Sequence, residues 1–208
     1  MGEAATAASP RARRREDTRR EILEAAWALC RRNGLAGLSL RELAASVGLR
    51  APSLYSYFPS KDAIYDALFA EGQHALAAHL AGHPEEDVSR ADVHRGARAF
   101  FDFCTADPVR YQLLFQRTLP GFEPSRESYG LAVSALSRVQ RQLAAAGADR
   151  AEHVDLFTAL ITGLIDQQIS NDPGGDRWAR LLGPAVDMFC DHAGIPADPA
   201  PRRSRRAT

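Results

Sequence analysis

The stretch Ser39 to Lys61, SLRELAASVGLRAPSLYSYFPSK, spells out two short helices, a tight turn between them and the start of a third. Ser39 precedes Glu42 by three positions, the reciprocal pattern that satisfies exposed amides at a helix start. Leu40, Leu43, Ala44 and Val47 recur at helical spacing. Gly48 ends the helix because it takes a left-handed backbone without steric cost. A second helix is expected from about Ala51, with Pro52 in its first turn, where the missing amide has no intrahelical partner anyway. Leu54 and Phe58 supply its buried side. Ala51, Ser53, Tyr55, Ser56 and Tyr57 stay outside, a small, hydroxyl-bearing and aromatic face with no acidic residue to repel phosphate. Such a face suits a nucleic-acid groove.

Before this stretch, Thr18 and Glu21 form a possible capping pair. Ile22, Ala25, Ala26, Leu29 and Cys30 then make an inward stripe, and Asn33-Gly34 stops the helix. Three short helices sharing Ile22, Leu29, Leu38, Leu43, Val47, Leu54 and Phe58 would form a homeodomain-like bundle over residues 17–60. The preceding residues 1–16 lack large apolar side chains and are expected to be a disordered basic arm, either a solubilising tail or a segment that follows the DNA backbone. After the bundle, Ser60 caps a connecting helix over 61–81. The polar break Gly82 to Asp87 is the candidate boundary or flexible connection.

The capped helix at Ser39, the turn at Gly48, the run Ser53-Leu54-Tyr55-Ser56-Tyr57-Phe58 and Lys61 resemble, in this spacing, the N-terminal domain of TetR-family transcriptional regulators. The likeness covers about Thr18 to Leu68, and Cys30 departs from it where the family more often has an aromatic. The resemblance implies an all-α fold in which two reading heads enter successive major grooves, about 34–36 Å apart or a multiple of that. It implies Arg41 in direct base contact, with Ala51, Pro52 and Ser53 against base edges. Ser39, Tyr55, Tyr57 and Lys61 would lie on phosphates, and Arg50 in either role.

Charge is divided along the chain. Residues 1–61 hold 11 basic and 6 acidic residues, net +5; residues 62–193 hold 11 and 19, net −8; the remainder holds 4 and 1, net +3. A basic N-terminal part on an acidic body fits a protein that touches nucleic acid at one end. Cys30, Cys104 and Cys190 have no CxxC spacing and are expected as buried thiols in a reducing compartment. No apolar run approaches the ~20 residues of a membrane span, so a cytoplasmic location without a membrane partner is expected.

From about Asp92 the pattern is helical throughout. Residues 88–193 are expected to form a ligand-binding and dimerisation domain, followed by a disordered tail, 194–208. Aromatics concentrate between Phe100 and Tyr129, and Phe101, Tyr111, Phe115 and Tyr129 are candidates to line an effector pocket. Asp166, Gln167 and Gln168 could orient a ligand, or face water or a partner chain. The last two helices, expected over 150–170 and 176–192, carry broad apolar faces. Phe157, Leu160, Ile161, Leu164, Trp178, Leu182 and Phe189 are candidates for a two-fold, four-helix interface between copies.

No GxSxG, glycine-rich phosphate loop or HExxH is present, and Cys190 with His192 is not a recognised zinc pair, so neither enzyme activity nor metal nor cofactor is expected. The resulting expectation is a homodimeric regulator, a repressor, that binds a palindromic operator and is released by an unidentified small molecule. A nonspecific nucleic-acid-binding protein and a helical enzyme are the alternatives.

Overall fold

The computed structural model describes residues 9–198, and every regular element among them is helical. In chain order these are α1 (Pro10–Asn33), α2 (Leu40–Ser46), α3 (Ala51–Leu54), α4 (Lys61–His79), α5 (Arg90–Ala106), α6 (Pro108–Phe115), α7 (Arg126–Ala145), α8 (Ala151–Asn171), a 3-10 turn (Ala179–Leu181) and α9 (Leu182–Ala193). The all-α expectation agrees with this.

The first helix begins eight residues before Thr18. Ser9 accepts a hydrogen bond from the Ala12 amide at 3.2 Å, and Pro10 presets the first helical φ, so Pro10 to Glu16 are helical and not a disordered arm. Thr18 sits inside the helix, donating to the Arg14 carbonyl at 3.0 Å, and caps nothing. Residues 1–8 of the expected arm lie outside the described residues.

The chain divides into two compact units. The first comprises the described part of Met1–Gly72 together with Val109–Tyr129, and the second comprises Gln73–Pro108 with the described part of Gly130–Thr208. The division falls within α4 and not at residue 60 or 81. Gly72 lies against α6 within the first unit: a Cβ there would come 2.9 Å from a terminal methyl of Leu114, which would have to shift.

In the first unit Ile22, Ala26, Leu29, Cys30, Leu38, Leu43, Leu54, Phe58, Ile64 and Leu68 form a continuous buried core. Val47 is only half-buried, because it caps α2 instead of continuing it. The Tyr65 hydroxyl donates to the Leu35 carbonyl, and its ring meets Phe122 edge-on at 5.6 Å.

In the second unit α5, α8 and α9 pack on one another around Ala97, Phe101, Cys104, Ile161, Ile165, Leu182, Val186 and Phe189. Ser89 and Asp92 form a full capping box at the start of α5. Arg90 ties that start to α9 through Asp187, at 2.8 Å, and Asp191, at 2.6 Å. The Gly82 to Asp87 break is fastened to α7: Arg138 and Arg141 pair with Glu85 at 3.1 and 2.9 Å, and Gln142 donates to the Pro84 carbonyl at 2.8 Å.

The expected helix over 176–192 is shorter than its apolar pattern. Pro184 would lose a hydrogen bond and clash with the preceding turn in its interior, so α9 starts at Leu182 with Pro184 in its first turn. At the other end Gly194 takes a left-handed φ of 76°, and the Ile195 amide returns to the Cys190 carbonyl at 2.9 Å. Residues 194–198 are therefore ordered against their unit, with Asp198 accepting from the Ala91 amide at 2.8 Å; 199–208 lie outside the described residues. All three cysteines are buried and none forms a disulfide, and burial pushes the Cys30 and Cys190 thiols up to about 11.

Candidate nucleic-acid interface

Ser39 caps α2 by accepting from the Glu42 amide at 3.4 Å, while the Glu42 carboxylate pairs with Arg32 of α1 at 2.7 Å. Gly48, at φ 68°, turns the chain, and the Leu49 amide returns to the Ala44 carbonyl at 2.8 Å. α3 is a single turn. Beyond it the Tyr57 and Phe58 amides both donate to the Leu54 carbonyl, at 2.9 and 3.0 Å, so the reading segment extends past the helix as consecutive turns. Leu54 and Phe58 are buried as expected.

This leaves Ser39, Arg41, Arg50, Pro52, Ser53 and Tyr55 exposed, Tyr55 to 52 %, with Ala51 and Tyr57 half-buried. Lys61 is half-buried too: its ammonium donates to the Ala36 carbonyl at 3.2 Å and lies 5.5 Å from the centre of the Tyr65 ring. Two of its three hydrogens stay available for a phosphate.

The segment is held from α1 in a way that sequence reasoning missed. Arg15 donates to the Ser56 carbonyl and Arg19 to the Tyr57 carbonyl, each at 2.6 Å, and the Arg19 guanidinium stacks 4.3 Å from the Phe58 ring centre. Charge-assisted bonds to outward-facing carbonyls pin the end of a segment too short to hold itself. Arg19→Ala is accordingly expected to reduce affinity for duplex DNA about five-fold or more, while the circular-dichroism spectrum stays that of the parent. A titration by fluorescence anisotropy checks this.

The candidate effector residues separate. Phe101 is buried in the second unit; Tyr111 is buried in the first, where Phe115 and Tyr129 are exposed to 38 % and 58 %. Gln168 is engaged within the chain: its Oε1 accepts from the Trp178 and Ala179 amides at 3.0 and 3.1 Å, and its Nε2 donates to the carbonyls of Asp172 and of Gly175, the latter at 3.2 Å. Its full hydrogen-bonding capacity therefore holds the connection from α8 to α9. A residue not singled out from sequence is Gln73 on α4, which is 2 % exposed and has neither side-chain polar atom partnered. Leaving an amide so costs on the order of 1–3 kcal/mol. The signal available was a glutamine four residues after Phe69 and three before Leu76, on an apolar face.

Of the interface candidates, Ile161, Leu182 and Phe189 are buried within their own unit, so they are core and not an open face. Phe157, Leu160, Leu164 and Trp178 are half-buried. The exposed apolar side chains on these helices are Leu156, Leu181 and Met188, alongside exposed Ala159 and Gly163, where an added Cβ would meet nothing.

Residues 22–68 match the family described as bacterial regulatory proteins, tetR family. The HTH-type transcriptional regulators Rv1816 of Mycobacterium tuberculosis and Mb1846 of Mycobacterium bovis are each 30 % identical over 127 residues, covering 57 % of this chain and 54 % of theirs. The chain thus spans about half the length of these curated relatives. Among solved structures, the transcriptional regulator FadR of Bacillus subtilis in complex with stearoyl-CoA is 16 % identical with a TM-score of 0.67, covering 82 % of this chain and 96 % of its own. The TetR-family regulator PfmR of Thermus thermophilus is 18 % identical with a TM-score of 0.62, covering 81 % and 96 %. These two share the fold. Residues 22–68 thus carry a helix-turn-helix domain of the tetR-family kind, and the chain shares its fold with these regulators.

Proposed function

We propose that the protein is a repressor that binds, as a homodimer in the cytoplasm, an operator of approximate two-fold symmetry and is released by a small-molecule effector. The observation that carries this reading is the exposed, acid-free face of Arg41, Arg50, Pro52, Ser53 and Tyr55, set on a turn whose backbone is pinned by Arg15 and Arg19. Ser39, Tyr57 and Lys61 flank it and supply phosphate contacts; Ala51 lies with Pro52 against base edges.

The second copy would cover Leu156, Ala159, Gly163, Leu181 and Met188, with half-buried Phe157, Leu160, Leu164 and Trp178 at the margins. FadR carries an acyl chain, stearoyl-CoA, in the same fold, and an effector with an apolar body suits a second unit cored by Phe101, Ile161 and Ile165. Any ligand that prefers the dimer with its heads at the wrong separation would lower operator affinity.

The test is binding to duplex DNA from beside the gene against shuffled DNA of equal length, across a salt series. Preference for the native fragment at two chains per site is the expected result. Equal, steeply salt-dependent binding to both would point to a nonspecific binder, and none at all to another activity such as a helical enzyme. Arg41→Ala is expected to weaken operator binding by about 1–3 kcal/mol and relax base preference, whereas Lys61→Ala weakens all sequences alike and flattens the salt slope.

A further inference from the structure

Gln73 is the first residue of the second unit, on the part of α4 that runs to His79. Neither Nε2 nor Oε1 has a partner among the described residues, so exchanging the two atoms of the amide changes nothing. Its neighbours on the helix, three and four positions away, are Phe69, Ala70, Leu76 and Ala77, none with a side-chain donor or acceptor. The other polar side chains buried in this unit are Asp107, His153 and the fully engaged Gln168; no arginine or lysine among its described residues is buried to the same degree. An anionic ligand group would meet no equally buried cation, and the buried carboxylate of the unit, Asp107, already has a partner, whereas a neutral group is cheaper to desolvate. A primary amide presents a donor and an acceptor side by side, and the group that satisfies both at once presents the reverse pair.

We propose that Gln73 anchors the polar end of the effector, and that this end is a neutral donor–acceptor group of the carboxamide or lactam kind on an apolar body. The inference rests on the effector-responsive reading above. It explains why an amide stands unsatisfied in the core: the partner arrives with the ligand.

The test uses the full chain, titrated calorimetrically with straight-chain amides from hexanamide to dodecanamide and with the carboxylates of equal length. The best amide is expected to bind about ten-fold or more tightly than its carboxylate. Gln73→Leu should remove that preference and, without any probe, raise the melting temperature by a few degrees. The inference is overturned if carboxylates bind as well as amides, if no chain length binds, if Gln73→Leu keeps the preference, or if it melts lower because the amide was satisfied in the core. The two readings fail separately. A parent protein that ignores its flanking DNA removes the regulator and leaves the calorimetric result standing. A parent that binds that DNA, with discrimination intact in Gln73→Leu, removes only the anchor.

Discussion

Phe189→Ala is expected to destabilise the second unit by about 3–5 kcal/mol, read as a lower midpoint in chemical denaturation at fixed protein concentration. The ring is 2 % exposed, lies 4.9 Å from the Phe157 ring centre and meets His153 edge-on at 6.4 Å, so truncation leaves a cavity lined by helices that cannot close over it. Its neighbour provides the contrast. Met188 is 70 % exposed, and Met188→Asp should change the stability of the unit itself by no more than about 0.5 kcal/mol while dissociating the proposed dimer in sedimentation velocity. An alanine at 189 that altered assembly and left stability untouched would return Phe189 to the interface.

Gln168→Leu is expected to cost on the order of 2–4 kcal/mol, although leucine nearly conserves the volume. What disappears is the set of partners for two amides, Trp178 and Ala179, and two carbonyls, Asp172 and Gly175, in a connection that the Asp172 carboxylate, accepting from the Arg177 amide at 2.8 Å, holds only in part. Hydrogen exchange at the Trp178 and Ala179 amides should accelerate more than at Ile161. Gln168→Glu keeps the acceptor for the amides but sets a carboxylate against the two carbonyls, and should recover only part of the loss. If the leucine variant melted like the parent and bound effector poorly, Gln168 would be a ligand residue after all.

Much of the reading unit was legible because its signals are local. Ser39 and Glu42, Gly48, Pro52 and the spacing of Leu54 from Phe58 each answer a backbone or packing demand within about four residues. Pro184 was equally local, yet the apolar run around it outweighed it in the sequence reading, and α9 begins later than that run.

Other features depend on groups distant in sequence. α1 starts at Pro10 partly because Arg15 and Arg19 find carbonyls 41 and 38 residues away, so composition marked a disordered arm where contacts make a helix. Leu182, Phe189 and Met188 carry the same apolar character. Which of them faces the core follows from where α5 and α8 lie against α9, and the covered pair is Leu182 and Phe189. Gln168 and Gln73 are both polar residues on apolar helix faces; one is satisfied by a returning loop and the other by nothing among the described residues. Helix type, caps and turns were settled by short-range sterics and hydrogen bonding written into neighbouring residues. The ownership of each apolar face and the partner of each buried polar group were settled by long-range packing, because these depend on which element closes over a side chain.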